Sequence, residues 1–525
     1  MCRWFNSALG HQIWRGAKRR AKLAKGFNSA LDQIWRGAKR RAKLAKGFDS
    51  ALDQIWRGAK RRAKLAKGFD LALGHPFHPK SSRSMPVSAM TMAAPYQRLG
   101  EDGYAFRTLC VLMTILIAIL PLAHVTGMRN ALVGMAVAAA LFHYRSQLWR
   151  ENPVLVPCLV WLAFAAVSIA WSDYPAVSFR AFRTDLFYPF VLFLISFMLV
   201  RSRNGRLALT LGAAVGTVIS LTTTFAAAVT PVEPGMEAAA PGVLGWLAWK
   251  AGEAVDSSTY IAFLAVPLFV VALTSTRASV RWAAAAWLVA FAGLGLMSES
   301  RTLFVSLCIS LPCLLIVFGL LRGRLHLRPV LIAICVGLVV SAISLELISR
   351  LRLPEQQPYD RSAALEMIAS DSRPAIWAVY YDLAKRHPWL GVGFGRSVPS
   401  RTYDLAQSED LRRIDRQAFA HAHNVLLSLA LQVGLVGLAI WTWLHVRLLS
   451  LAVICARARG EREKAWAAAA IALVLAMLVK NSTNDLMVFG NAILYWTLLG
   501  AILGRIWWGG GAESLTLSRM DPAAR

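Results

Sequence analysis

From Thr108 onward the chain alternates apolar runs of 16 to 24 residues with short charged breaks, and that rhythm leaves few folds open. In hydrocarbon every backbone N–H and C=O must be satisfied within the protein, so such runs cross a bilayer as helices. A helix needs about 20 apolar residues to do so, fewer where neighbours shield its ends. Twelve candidate spans follow: 108–123, 130–145, 153–171, 184–200, 205–228, 259–275, 282–298, 302–321, 329–348, 423–446, 464–480 and 488–508. Only 17% of residues are charged, where soluble domains carry about a quarter. The expected fold is an all-α polytopic membrane protein of about twelve transmembrane helices, with one large extracytoplasmic loop containing short helices.

The order along the chain is then a basic repeat segment (1–84), a cytoplasmic segment (85–107), spans one to nine (108–348), the large loop (349–422), spans ten to twelve (423–508) and a polar cytoplasmic tail (509–525). Net charge is +29, yet residues 1–84 alone hold 21 of the 58 Lys and Arg. There residues 5–26, 27–47 and 48–68 are near-copies of FNSALDQIWRGAKRRAKLAKG. Each copy has too few apolar residues to share a core with its neighbours. One reading is a basic helix lying on anionic lipid headgroups. The other is a translated tandem DNA repeat ahead of a start at Met85, Met90 or Met92, and the near-identity of the copies favours it. No nucleic-acid partner is expected; membrane lipids are.

Basic residues orient the spans. With the N-terminus inside, the short inner loops hold fifteen Lys and Arg and the short outer loops six. The positive-inside rule therefore puts both termini in the cytoplasm. Five of the seven cysteines sit in apolar runs and none lies in the large loop, so neither a disulfide framework nor a metal cluster is expected. No cofactor is called for.

A loop as long as 349–422 is functional or disordered as a rule, and its aromatic and apolar content favours a folded one. Within it PAIWAVYYDLAKR has the spacing of an amphipathic helix, and GVGFG reads as a turn. Directly after it comes HAHNVLLSLALQVGLVG. On a continuous helix Gly434 and Gly437 fall within about 40° of the His423 direction. A titratable imidazole at the outer mouth of span ten thus stands above a small-residue stripe suited to tight packing or a lipid chain.

His423, Asn424, Gly434 and Gly437 match the pattern of the O-antigen ligase family, which places a His, then Asn, Ser or Gln, nine residues, Gly, two residues and Gly, Thr or Tyr after a large outer loop. MSESRT around Arg301 and DSRPAIW…HPWLGVGFG around Arg373 resemble its other two stretches. The resemblance covers roughly residues 100–508. It implies transfer of a polysaccharide from an undecaprenyl pyrophosphate-linked glycan to a lipid A-core acceptor, at the periplasmic face of a bacterial inner membrane. His423 would be the base toward the acceptor hydroxyl, with Asn424 orienting it or a sugar. Arg301 and Arg373 would hold the pyrophosphate, since guanidinium forks match phosphate oxygens. No D-x-D stretch suggests a carboxylate-held cation, so Arg is expected to supply the charge.

Blander roles compete. His423 could cap and snorkel; His421 and His387 lie at the same face. Arg180 and Arg183, three apart on one helical face, could add a phosphate contact or anchor a helix end. Asp485 could pair with an Arg or cap a helix. The other loop arginines, Arg396 among them, read as solvated charges. O-antigen polymerases and protein O-oligosaccharyltransferases share the donor and much of the pattern. A shorter second outer loop and a brief C-terminal tail favour the ligase. A transporter would show internal repeats and midplane polar groups, and neither is visible.

Overall fold

The computed structural model describes residues 103–144, 153–230, 243, 246–248, 254–298, 300–352, 372–409, 411, 421–457, 459–485 and 487–509, all in the compact unit Tyr96–Arg525. The calls on 1–84, on most of 85–107, on 353–371 and on the tail from 510 lie outside the described residues. Along the chain run α1 (Tyr104–Ile119), α2 (Thr126–Tyr144), α3 (Leu155–Val167), α4 (Pro175–Ala181), α5 (Tyr188–Leu199), α6 (Arg203–Val229), α7 (Ala254–Thr274) and α8 (Ala278–Met297). There follow α9 (Arg301–Leu321), α10 (Leu327–Arg352), α11 (Arg373–Ala384), α12 (Val398–Thr402), α13 (Val425–Arg457), α14 (Glu461–Lys480) and α15 (Phe489–Trp508). No β-strand occurs among the described residues.

Each of the twelve apolar runs forms a helix, so the chain is an all-α polytopic membrane protein. Seven helical segments are long and apolar enough to cross a membrane, and three shorter apolar helices join them. The remaining two, α2 and α14, explain why hydropathy and structure count differently. α14 carries EREK in its first turn and Lys480 in its last. It nonetheless sits at the centre: Ala465, the run Ala467–Ala470, Ala472 and Ala476 are all buried. Small side chains there let α7, α9, α13 and α15 close around it.

The tightest pairing joins α5 and α15. A Cβ at Gly500 or Gly504 would run into the Phe193 and Phe197 carbonyls, so glycine one turn apart sets that approach. The span expected at 184–200 begins earlier, at Pro175, and crosses a π-helical turn at Phe182–Phe187 between α4 and α5. That turn begins at Phe182 and widens the helix beyond it, while Ala181 and Phe182 between the two arginines keep α-helical backbone angles. Both arginines are exposed.

The second departure concerns α13. Gly434 has φ 64° and ψ −171°, which interrupts the helix in its middle. The glycine pair is therefore no continuous stripe on one face. The break frees backbone groups, and the HPWLGVGFG segment takes them: Val392 N–H donates to Leu431 O at 3.0 Å and Gly393 N–H to Gln432 O at 2.8 Å. In return Leu435 N–H donates to Pro388 O at 2.8 Å and Val436 N–H to Trp389 O at 3.1 Å. GVGFG is a turn, as its composition suggests, with Gly391, Gly393 and Gly395 all at positive φ.

Candidate functional site

The docked turn seats the outer segment on the bundle. Phe394 N–H donates to Ser168 Oγ at 3.0 Å, Gly395 N–H to Gln432 Oε1 at 2.9 Å, and Trp171 Nε1 to Leu390 O at 3.3 Å. A small second core of Ile376, Tyr380, Leu383, Leu405, Leu411, Ala422 and Leu431 ties α11 to the head of α13. The helix expected in PAIWAVYYDLAKR is α11. Together these contacts fix the residues on either side of GVGFG, and Arg396 comes immediately after it.

Arg396 meets His421. Its Nη2 lies 2.8 Å from Nδ1 and 3.0 Å from Nε2 of that ring, and His421 Nε2 lies 3.2 Å from Asn484 Oδ1. The set is satisfied when Nδ1 accepts from Arg396 and Nε2–H donates to Asn484. Burial pushes the His421 imidazole down to about 3, and the Arg396 and His423 charges push the same way. His421 therefore stays neutral.

His423 stacks beside it, with ring centroids 3.9 Å apart. Its backbone is left-handed at φ 49°, a conformation a non-glycine residue holds at a cost of about 1–3 kcal/mol. That left-handed residue turns the chain from His421 into α13, and the two rings meet tilted by 34°. Asn424 is the cap of α13: Oδ1 accepts from Leu426 N–H at 3.0 Å and Leu427 N–H at 3.1 Å. Its Nδ2 donates to Ser482 O at 3.0 Å, and Val425 N–H donates to Asn481 O at 2.9 Å. The head of α13 is thus pinned to the end of α14.

That end brings in Arg301. Lys480, fully buried, donates to Ser300 Oγ at 2.9 Å and Thr302 Oγ1 at 2.8 Å. Arg301, half-buried, opens α9 between those two hydroxyl residues, and Arg373, also half-buried, opens α11. A helix start is the wrong end of the backbone dipole for a cation and the right end for an anion. Two arginines at two such starts suit a phosphate-rich ligand.

Asp485 is buried in a pocket that Arg396, Asp185, Gln432, Trp161 and Trp441 also line. Burial pushes the Asp485 carboxyl up, and Arg396 together with hydrogen bonds from Ser428 and Met487 pulls it back. Asp185 accepts from Phe489 N–H at 3.2 Å and from Thr184 Oγ1 at 3.0 Å. Arg396 thus lies within electrostatic reach of both carboxylates. His387, the third candidate histidine, is exposed and lies against Tyr403.

The sequence placed His423, Asn424, Arg301 and Asp485 at one end, and the contacts above gather them there. Sequence reasoning missed three groups. Arg396 reads in the sequence as one solvated loop charge among several, although its place one residue after three alternating glycines is a usable signal. Lys480 reads in the sequence as an outer charge and nothing more. Asp185 carried no signal, because it sits inside an apolar run. In chemical terms the site offers a neutral imidazole beside a second one, the Arg301 guanidinium at the start of α9, and a buried and a half-buried carboxyl within electrostatic reach of Arg396, while Arg373 stands at the start of α11.

Residues 262–442 match the family model described as O-Antigen ligase. The matched stretch contains Arg301, Arg373, Arg396, His421, His423, Asn424, Gly434 and Gly437, and leaves Arg180, Arg183, Asp185 and Asp485 outside. No curated protein matches the chain.

Proposed function

We propose that the chain, whose residues 262–442 match the family model described as O-Antigen ligase, transfers a polysaccharide from undecaprenyl pyrophosphate to a lipid A-core sugar. The transfer takes place at the periplasmic face of the inner membrane. The observation that carries the reading is the histidine pair at the head of α13, held next to the α9 start that bears Arg301.

In the proposed step the acceptor hydroxyl oxygen attacks the anomeric carbon of the donor. The bond from that carbon to the pyrophosphate oxygen breaks, and the lipid pyrophosphate leaves. His423 takes the hydroxyl proton. The neutral state of His421 matters here, because a charged ring at 3.9 Å would oppose the positive charge that His423 gains. Arg301 and Arg373 take the leaving-group charge, and no divalent cation is required. Asn424 serves this chemistry by fixing the helix head under His423.

The test uses a strain lacking O-antigen ligase, complemented with the chain from Met85 or with its His423→Ala form. Wild type restores a lipopolysaccharide ladder on a gel, and His423→Ala, inserted at equal level, does not. Deletion in the native strain separates the relatives. Loss of capped lipopolysaccharide supports the ligase, whereas shortened chains point to a polymerase and lost protein glycans to a protein O-oligosaccharyltransferase.

A further inference from the structure

At the end of the bundle remote from the histidines lies a groove of about 520 Å³ between α6, α7, α8, α14 and α15. Along α14, Arg462 stands about 27 Å from Lys480 at 1.5 Å per residue. The groove is therefore a separate place from the site above. Its walls are apolar, with Pro267 and Phe291 among them, and Arg206, Arg462 and Arg505 are the charged groups that line it. Among the described residues no carboxylate lines it.

We propose that this groove binds one anionic glycerophospholipid. Three guanidinium groups facing an apolar slot complement a phosphate headgroup on acyl chains. Arg462 makes no ion pair among the described residues, so its charge is available to such a headgroup. The second observation is Trp466. It lines the groove, its Nε1–H is buried, and that donor has no hydrogen-bond partner among the described residues. A buried indole N–H without a protein partner is costly, and an ester carbonyl seated in the groove is an acceptor that would relieve it.

Trp466 follows Arg462 by four residues, so both lie on one face of α14 with the indole one turn, about 6 Å, deeper. That stagger matches a glycerophospholipid, whose ester carbonyls lie just beneath its phosphate. A polyprenyl phosphate has a phosphate and no carbonyl below it. The ester chemistry therefore selects the diacyl lipid.

The test counts lipids retained per full-length chain by native mass spectrometry in mild detergent, after challenge with phosphatidylglycerol, phosphatidylcholine or undecaprenyl phosphate. One phosphatidylglycerol is expected to stay bound against both competitors. Arg462→Gln lowers its retention about five-fold and Arg462→Lys restores most of it. Trp466→Phe, which keeps the ring's packing, also lowers retention. The proposal is overturned if phosphatidylcholine is held as well, which marks a boundary lipid only, or if undecaprenyl phosphate displaces the bound lipid. Wild-type retention by Arg462→Gln also overturns it. The wild-type competition depends on no variant folding, and none of these readouts depends on glycan transfer.

Discussion

Asn424 shows how a motif residue is legible while its work is not. The sequence places it beside His423, and it could orient that ring or a sugar. The structure spends both ends of its amide on the chain itself, the oxygen on Leu426 and Leu427 N–H and the nitrogen on Ser482 O. Asn424→Ala should lower stability by about 1 kcal/mol, while Asn424→Ser keeps an acceptor and most of the stability. Transfer activity is expected to follow stability across the two variants. A stable but inactive Asn424→Ser protein would instead give the amide a role on the substrate. His421 carries a second expectation. The unfolded chain takes up a proton there near 6.5, and the folded site not until about 3. Below pH 6.5 the unfolded state binds more protons, so this group costs the fold stability as pH falls from about 6.5 toward 3. Thermal unfolding in detergent from pH 7.5 to 5 should therefore show a steeper acid loss for wild type than for His421→Gln. Parallel curves would mean that His421 is not the group that resists protonation.

At the level of elements, hydropathy located every helix of the bundle but could not see the break in α13. LLSLALQVGLVGLAI is apolar on both sides of Gly434, so periodicity runs through the interruption without a mark. The visible sign lay elsewhere, in the alternating glycines of GVGFG, because a loop with three positive-φ residues is shaped to meet another backbone. The two motif glycines now separate. At Gly434, φ 64° with ψ −171° is essentially a glycine-only conformation, and a Cβ would strike the Trp389 carbonyl. Gly434→Ala should cost about 1–3 kcal/mol, release the 388–395 segment, and abolish transfer without preventing insertion. Limited proteolysis between α11 and α12 reads that release directly. At Gly437 a Cβ meets side chains, those of Val433 and Phe164. Gly437→Ala is thus an overpacking change that Val433→Gly together with Phe164→Leu should relieve, whereas no side-chain change should rescue Gly434→Ala. Rescue of both, or of neither, would contradict this division.

Across the whole molecule the polar chemistry separates into two ends. His421, His423, Arg396, Asp485 and the Lys480 turn gather at one. At the other, Arg322 pairs with Glu461, and Arg459 donates to the Ile506 and Trp507 carbonyls. The positive-inside count assigns the second end to the cytoplasm, a matter of charge statistics that the packing of a bundle alone does not decide. The proposed transfer rests on that assignment, because it is written for the outer face. Two exposed positions test it in a cysteine-free background: Ser397→Cys beside Arg396, and Thr276→Cys between α7 and α8. An impermeant maleimide should label Ser397→Cys in intact spheroplasts and Thr276→Cys only after lysis. The reverse pattern would put the histidines inside the cell and remove the periplasmic transfer step, while leaving the helical fold and the phospholipid groove as described. Labelling as expected in a chain begun at Met85 would further show that residues 1–84 are not needed to set the orientation, because the inner-loop arginines of the bundle already suffice.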